Sequence, residues 1–199
     1  MKAIMMSIRP QHVANILNGI KTLEIRKKFP IDYVGWVYIY CTKDNKQRLY
    51  PVYLLDKSNH VFKRAYREDK IDNRTNYLNG KVVARFWCDK VEEIKRIYPS
   101  WDTKIFAWET ETLAEGEIEN KACLSSKELR NYLAFKENGY AIHITKLEIF
   151  DKPKEISEFM RASYKGCPFE NTQTCHNNTD GRYCKLTRAP QSWCYIENI

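Results

Sequence analysis

The sequence has no long hydrophobic run. No stretch approaches the roughly 18 apolar residues of a membrane-spanning helix, and the apolar run in residues 1–9 is too short for a signal peptide. There is also no internal repeat, no low-complexity tract and no clear linker between two domains. These absences exclude a membrane-anchored, secreted or repeat protein, and we expect one soluble, cytoplasmic domain over residues 1–199.

The cysteine content excludes a further class. The chain has seven cysteines, an odd number, and three of them, Cys41, Cys88 and Cys123, are scattered far from the rest. A secreted disulfide framework normally uses an even number of cysteines at regular spacings. The cysteines therefore do not indicate an extracellular protein.

The charge is strongly positive and unevenly distributed. The formal net charge is +8, and the first 30 residues contain one acidic side chain, Glu24. Six basic side chains accompany it: Lys2, Arg9, Lys21, Arg26, Lys27 and Lys28. A basic patch of this kind favours a polyanionic partner, because neutralised phosphates release condensed counterions. The alternative is that the charge serves solubility alone.

A helix followed by a strand is predicted within this basic region. Pro10 suits the first helical position, the apolar residues follow the helical period, and Asn18-Gly19 suits a left-handed C-cap, so we predict a helix over about 10–18. A strand should begin near Lys21. Because side chains alternate along a strand, Glu24 and Arg26 project from one face, and Leu23 and Ile25 project from the other. The alternative is a solvated strand face with an incidental ion pair.

Further elements follow from composition and caps. Strands are predicted over 34–41, 81–89 and 140–150, and a helix over 125–135, where Ser125 and Glu128 have capping-box spacing. Short strands around two or three helices suggest an α+β fold with a small closed barrel. Residues 42–79 and 98–120 look like insertions. In the first of them Arg48 to Leu55 could be a strand or a short helix, His60 to Asn79 is highly charged, and we expect loop or helix on the surface.

The pattern Gly19-x-Lys21-x-x-Glu24-x-Arg26 resembles the signature of the ASCH domain (activating signal cointegrator homology), a branch of the PUA-like β-barrels. Further segments resemble other parts of that family: Met6 to Pro10, Val37 to Cys41, Gly80 to Ala84, Leu124 to Leu129, Tyr140 to Ile144 and Pro190 to Tyr195. The resemblance implies a PUA-like mixed barrel with a few flanking helices.

For this family RNA binding is the usual expectation, and ribonuclease activity is suggested for some members. We therefore expect RNA, single-stranded nucleic acid or a modified nucleoside to bind a basic cleft. The predicted contact residues are Arg9, Lys21, Glu24, Arg26, Lys27, Lys28 and Tyr38. The alternative is a hydrolase that uses Lys21 and Glu24 for proton transfer. Small bacterial relatives hydrolyse N4-acetylcytidine with a lysine, a threonine and a glutamate, but Glu24 stands here where they have threonine.

Planar side chains for base stacking are abundant. Besides Tyr38, the candidates are Trp36, Tyr40, Trp87 and Trp193. Each of them could equally be an ordinary core residue of a barrel.

The last part of the chain has a dense cysteine cluster in a loop at about 165–186. Cys167, Cys175 and Cys184 lie in this turn-rich loop with His176 among them, and Cys194 follows within a predicted final strand. Four of these five side chains could bind one structural zinc. The spacing contains no CxxC pair, so unrelated free cysteines are the alternative.

Overall fold

The computed structural model describes residues 2–56, 61–70, 75–97, 107–133, 138–162 and 185–198. The strands in this part of the chain are β1 (Lys2–Ile8), β2 (Leu23–Arg26), β3 (Gly35–Cys41), β4 (Gln47–Asp56), β5 (Val61–Lys70), β6 (Val82–Cys88), β7 (Val91–Ile97), β8 (Ala107–Glu109), β9 (Asn138–His143), β10 (Thr145–Lys154) and β11 (Trp193–Glu197). The helices are α1 (Pro10–Leu17), α2 (Glu115–Ala122) and α3 (Ser126–Leu133), with a 3-10 turn at Ile156–Glu158. None of these helices is long and apolar enough to cross a membrane. The predicted α+β class is confirmed.

The chain divides into two compact units. The first contains residues 1–17, 35–86 and 147–199, and the second contains residues 18–34 and 87–146. The single-domain expectation and its insertion boundaries stay predictions.

A five-stranded sheet dominates the first unit, with the strand order β10-β6-β3-β1-β11. Strand β1 pairs in parallel with β3, through Met5 and Tyr38, and antiparallel with β11, through Met5 and Cys194. The outer edge of β11 is covered in turn, because Arg161 forms a bridge with Ile196. One face of this sheet packs around the buried rings of Tyr38 and Phe159.

Helix α1 is short and amphipathic. Its buried residues are Pro10, Val13, Ala14, Ile16 and Leu17, which recur at the helical period as the sequence predicted. The helix ends before Gly19, whose φ of +73° is the left-handed conformation expected of a glycine C-cap. The predicted helix and its cap are therefore confirmed to within one residue.

Strands β4 and β5 form a long antiparallel hairpin. The register runs from Gln47 opposite Lys70 to Asp56 opposite Val61. The strand alternative for Arg48 to Leu55 is confirmed by β4, whereas the expectation of loop or helix in the highly charged part that follows is wrong for β5. Alternating pairs such as Leu49 with Glu68 and Tyr50 with Arg67 provide a ladder of ten residue pairs, which the high charge of this segment obscures in the sequence.

The second unit contains a four-stranded sheet with the order β2-β9-β7-β8. Leu23 and Ile25 of β2 pack on its helix-covered face with Ile118 of α2 and Leu129 of α3. Ser125 begins α3 as predicted: its hydroxyl accepts a hydrogen bond from the Glu128 backbone amide, and the Glu128 carboxylate accepts one from the Ser125 amide.

The predicted strand over 140–150 is two strands. Strand β9 ends at His143 and β10 begins at Thr145, and the φ of Lys146 is +43°. Continuous β-forming residues predict one strand here, but β9 pairs with β2 and β7 whereas β10 pairs with β6. The break lets one segment of chain enter two sheets.

Candidate functional site

Lys21 lies just before β2 and is almost completely buried, at 2% exposure. Its ammonium donates a 2.6 Å hydrogen bond to the carbonyl oxygen of Ala122, the last residue of α2. The last carbonyls of a helix have no partner within the helix and carry partial negative charge. Helix α2 ends there because Cys123 takes a left-handed conformation, with φ of 50°. The lysine therefore neutralises the C-terminus of a helix about which the sequence motif says nothing.

Glu24 lies between two cations. Its Oε2 atom is 3.2 Å from Nζ of Lys21, and its Oε1 atom is 3.1 Å from Nη2 of Arg26. Because Glu24 and Arg26 are two apart on one strand, both side chains project from the same face, as the alternation predicted. The prediction that these three residues come together is confirmed.

Tyr132 completes the cluster from α3 and is not among the residues predicted from the sequence. Its hydroxyl hydrogen-bonds to the Arg26 side chain and the Lys27 backbone. Burial raises the pKa of Tyr132, Arg26 opposes that rise and the Glu24 carboxylate adds to it. The Lys27 ammonium lies 5.0 Å from the centre of the Tyr132 ring, a cation–π contact. The signal that could have found Tyr132 is its outward position on the strongly amphipathic helix α3.

The cluster has a buried floor and an exposed rim. Lys21 and Glu24 form the floor, with side chains 2% and 7% exposed, and Arg26 is 11% exposed. The rim consists of the half-buried Lys27 and the exposed Lys28 and Tyr132, and Tyr132 is 37% exposed. The expectation that Lys21 and Glu24 line a solvent-accessible cleft is therefore corrected: both side chains are buried, the Lys21 ammonium against the C-terminus of α2, and the rim carries the accessible charge.

Two predicted contact residues belong to the other unit. Arg9 is exposed, and its carbonyl accepts hydrogen bonds from the backbone amides of His12 and Val13 in α1. Tyr38 is 1% exposed, and its hydroxyl donates to Asn198 and accepts from Arg85. A ring buried in this way has no face for a nucleobase, so the prediction of base stacking by Tyr38 is wrong. Tyr40, another stacking candidate, is 6% exposed.

A second polar cluster, not predicted from the sequence, surrounds Glu92 on β7. This carboxylate is 2% exposed and lies 2.6 Å from Nε2 of His143 and 3.2 Å from Nζ of Lys90. The Thr112 hydroxyl donates to it at 2.7 Å. Burial raises the pKa of Glu92, but hydrogen bonds from Thr112, Thr110, His143 and Lys90 lower it to about 2. The cluster ties the segment between β8 and α2 to the sheet.

The predicted zinc ligands lie mostly outside the described residues. Cys167, Cys175, His176 and Cys184 belong to that part of the chain, so their pairing with zinc stays a prediction. Cys194 lies on β11, where burial raises its pKa. Within the described ranges, no group of three or more histidine, cysteine or acidic side chains is arranged to hold a metal ion.

The fold is similar to that of ASCH proteins. It matches the crystal structure of an ASCH protein from Zymomonas mobilis with a TM-score of 0.51 and 14% identity, over 98% of this chain and 87% of that chain. A tyrosine-to-phenylalanine variant of the Zymomonas mobilis protein matches with a TM-score of 0.50 and 14% identity, over 99% of this chain and 91% of that chain. No protein-family model and no curated protein matches the sequence. The predicted resemblance is confirmed at the level of the fold.

Proposed function

We propose that this chain is a PUA-like barrel protein of the ASCH type that binds RNA or other single-stranded nucleic acid. In this proposal the contact surface is the rim of Lys27, Lys28 and Tyr132 together with the adjoining side chain of Arg26. The observation that carries this proposal is the contact of Glu24 with both Lys21 and Arg26. One carboxylate offsets the buried charge of Lys21 and holds Arg26 by a 3.1 Å contact.

The floor and the rim have separate roles. A flexible arginine loses side-chain entropy when it binds a phosphate, and a guanidinium already fixed by a carboxylate and a tyrosine hydroxyl loses less. Lys27 and Lys28 add charge to the same strand end, and the Tyr132 ring offers a planar edge beside them. Proteins that bind single-stranded nucleic acid combine cations with aromatic rings in this way.

Salt-dependent binding of a single-stranded RNA tests this function. The triple variant Arg26→Gln/Lys27→Gln/Lys28→Gln should weaken binding at low salt and reduce the slope of log K against log salt by about 2, at roughly 0.7 per phosphate contact. The matched control Lys2→Gln/Lys152→Gln/Arg188→Gln removes three charges at exposed positions of the first unit. Equal slopes of log K against log salt for the two triple variants would mean that the binding depends on net charge and not on this surface. A wild-type protein that binds no RNA would refute the proposal.

A hydrolase remains the second candidate, favoured by the 3.2 Å separation of Lys21 and Glu24. A buried lysine beside a carboxylate is an arrangement that can transfer protons in a dry site. Incubation of the wild-type protein with N4-acetylcytidine and with single-stranded RNA distinguishes the candidates. If the wild type releases product and both Lys21→Met and Glu24→Gln abolish this release, the hydrolase is favoured. Binding of RNA without turnover would favour the RNA-binding function.

A further inference from the structure

The hairpin of β4 and β5 has an anchored base. Leu49 and Tyr50 are buried there, and the Leu49 amide donates to the side chain of Asn79 at 2.8 Å. The Asn79 side chain in turn donates to the carbonyl oxygens of Gln47 and Thr42. A free two-stranded hairpin is marginally stable, and these contacts support this one at its base.

The far half of the hairpin has two exposed sides with different chemistry. Tyr53 lies opposite Arg64, and Leu54 lies opposite Lys63. Because successive residues alternate, the first pair projects from one face and the second pair from the other. Tyr53 is 67% exposed and Leu54 is 50% exposed.

The face with Tyr53 has the features of a stacking platform. The guanidinium of Arg64 lies 5.6 Å from the ring centre of Tyr66, two residues along the same strand. Directly opposed residues lie about 5 Å apart at their Cβ atoms, so Arg64 stands beside the exposed Tyr53 on this face, while its guanidinium lies near the buried ring of Tyr66. The other face presents an aliphatic side chain beside its cation.

We propose that the Tyr53–Arg64 pair is an additional contact for single-stranded RNA, in which a base stacks on Tyr53 and Arg64 contacts the adjacent phosphate. This inference rests on the proposed RNA-binding function and extends it to residues that the motif does not include. Charge and shape support this partner: an aromatic face tolerates every base, and a neighbouring guanidinium complements the phosphate. A solvated strand pair of no function is the alternative.

The opposite face supplies matched controls. Tyr53→Ala and Leu54→Ala truncate neighbouring exposed side chains, and Arg64→Gln and Lys63→Gln each remove one positive charge. All four positions are exposed, so the variants should unfold at the temperature of the wild type. Binding of a fluorescein-labelled oligouridylate of about 16 nucleotides, followed by polarisation across a salt series, is the measurement.

Tyr53→Ala should weaken binding roughly fivefold or more, whereas Tyr53→Phe and Leu54→Ala should stay within about twofold of wild type. Arg64→Gln should reduce the salt slope by about 0.7, and Lys63→Gln should change it less. If Tyr53→Ala binds like wild type, or if Lys63→Gln matches Arg64→Gln, the hairpin contact is refuted, while loss of binding in the Arg26, Lys27 and Lys28 variant preserves the proposed function. A wild-type protein that binds no oligouridylate and no mixed-sequence RNA refutes both.

Discussion

The carboxylate of Glu92 and the imidazole of His143 lie 2.6 Å apart, although 51 residues separate them in the sequence. Glu92 lies on β7 and His143 at the end of β9, the central pair of the four-stranded sheet. Thr112 adds hydroxyl and backbone amide donors from the segment before α2. One buried carboxylate thus joins two strands and a connecting segment.

This network predicts a specific dependence of stability on pH. The pKa of Glu92 is lowered from an ordinary 4.5 to about 2, so the folded state favours the carboxylate. Its contribution, of order 3 kcal/mol, is fully present above about pH 4.5 and is lost as the pH falls towards 2. Urea unfolding should show that Glu92→Gln destabilises the protein near neutral pH. The difference in unfolding free energy between this variant and the wild type should decrease on acidification.

Glu93→Gln is the matched control, because this neighbouring side chain is 36% exposed. Its effect should be small at every pH. A gap between wild type and Glu92→Gln that stays constant down to about pH 2.5 would contradict the lowered pKa.

The buried pair of Lys21 and Glu24 should be strongly coupled. Lys21→Met leaves the Glu24 carboxylate with one fewer cation and the Ala122 carbonyl without its donor, and should cost about 3 kcal/mol of unfolding free energy. The double variant Lys21→Met/Glu24→Gln should cost less than the sum of the single variants, as urea unfolding of all four proteins would measure. Lys81→Met breaks an exposed pair with Glu155 and should cost less than about 1 kcal/mol. Additive effects of Lys21→Met and Glu24→Gln would count against the coupling.

Two glycine substitutions should have opposite signs. A Cβ at Gly19 would meet nothing within 4 Å, but φ is +73°, so Gly19→Ala should destabilise by about 1 kcal/mol through backbone strain. Gly116 lies within α2, where a Cβ also meets nothing, and Gly116→Ala should stabilise by up to about 1 kcal/mol. Thermal unfolding compares them, and a neutral Gly19→Ala would argue against the left-handed cap.

Tyr132 should matter for RNA binding through its hold on Arg26 and Lys27. Tyr132→Ala removes the hydroxyl and the ring together and should weaken oligouridylate binding about fivefold or more, whereas Tyr132→Phe should have an intermediate effect because the ring under Lys27 remains. Asn131→Ala, at the neighbouring exposed position of α3, is the control. Equal affinity of Tyr132→Ala and Asn131→Ala in a polarisation titration would remove Tyr132 from the binding surface.

The zinc prediction is tested by elemental analysis of protein purified without added metal. We expect about one zinc per chain, held by four of Cys167, Cys175, His176, Cys184 and Cys194, because a turn-rich segment with little apolar content gains order from a metal. Cys175→Ser should reduce the zinc content, whereas Cys123→Ser should not. A content below about 0.2 per chain with freely titrating thiols would identify these cysteines as unrelated.

The sequence by itself determined the features that depend on neighbours along the chain. Pro10 and Gly19 bound α1, the Ser125 and Glu128 caps begin α3, and strand alternation puts Glu24 and Arg26 on one face. These features follow from backbone geometry and from hydrogen bonds between residues two to four positions apart, so the local sequence is enough to predict them.

The tertiary structure decided the rest of the site. Lys21 meets Ala122 across 101 residues, and Tyr132 reaches Arg26 from a helix that the motif does not contain. Lys21 is buried against the end of α2, and Tyr53 is exposed although Tyr50 on the same strand is buried. These contacts arise from packing between segments that are distant in the sequence. The composition of one segment does not determine which other segments pack against it.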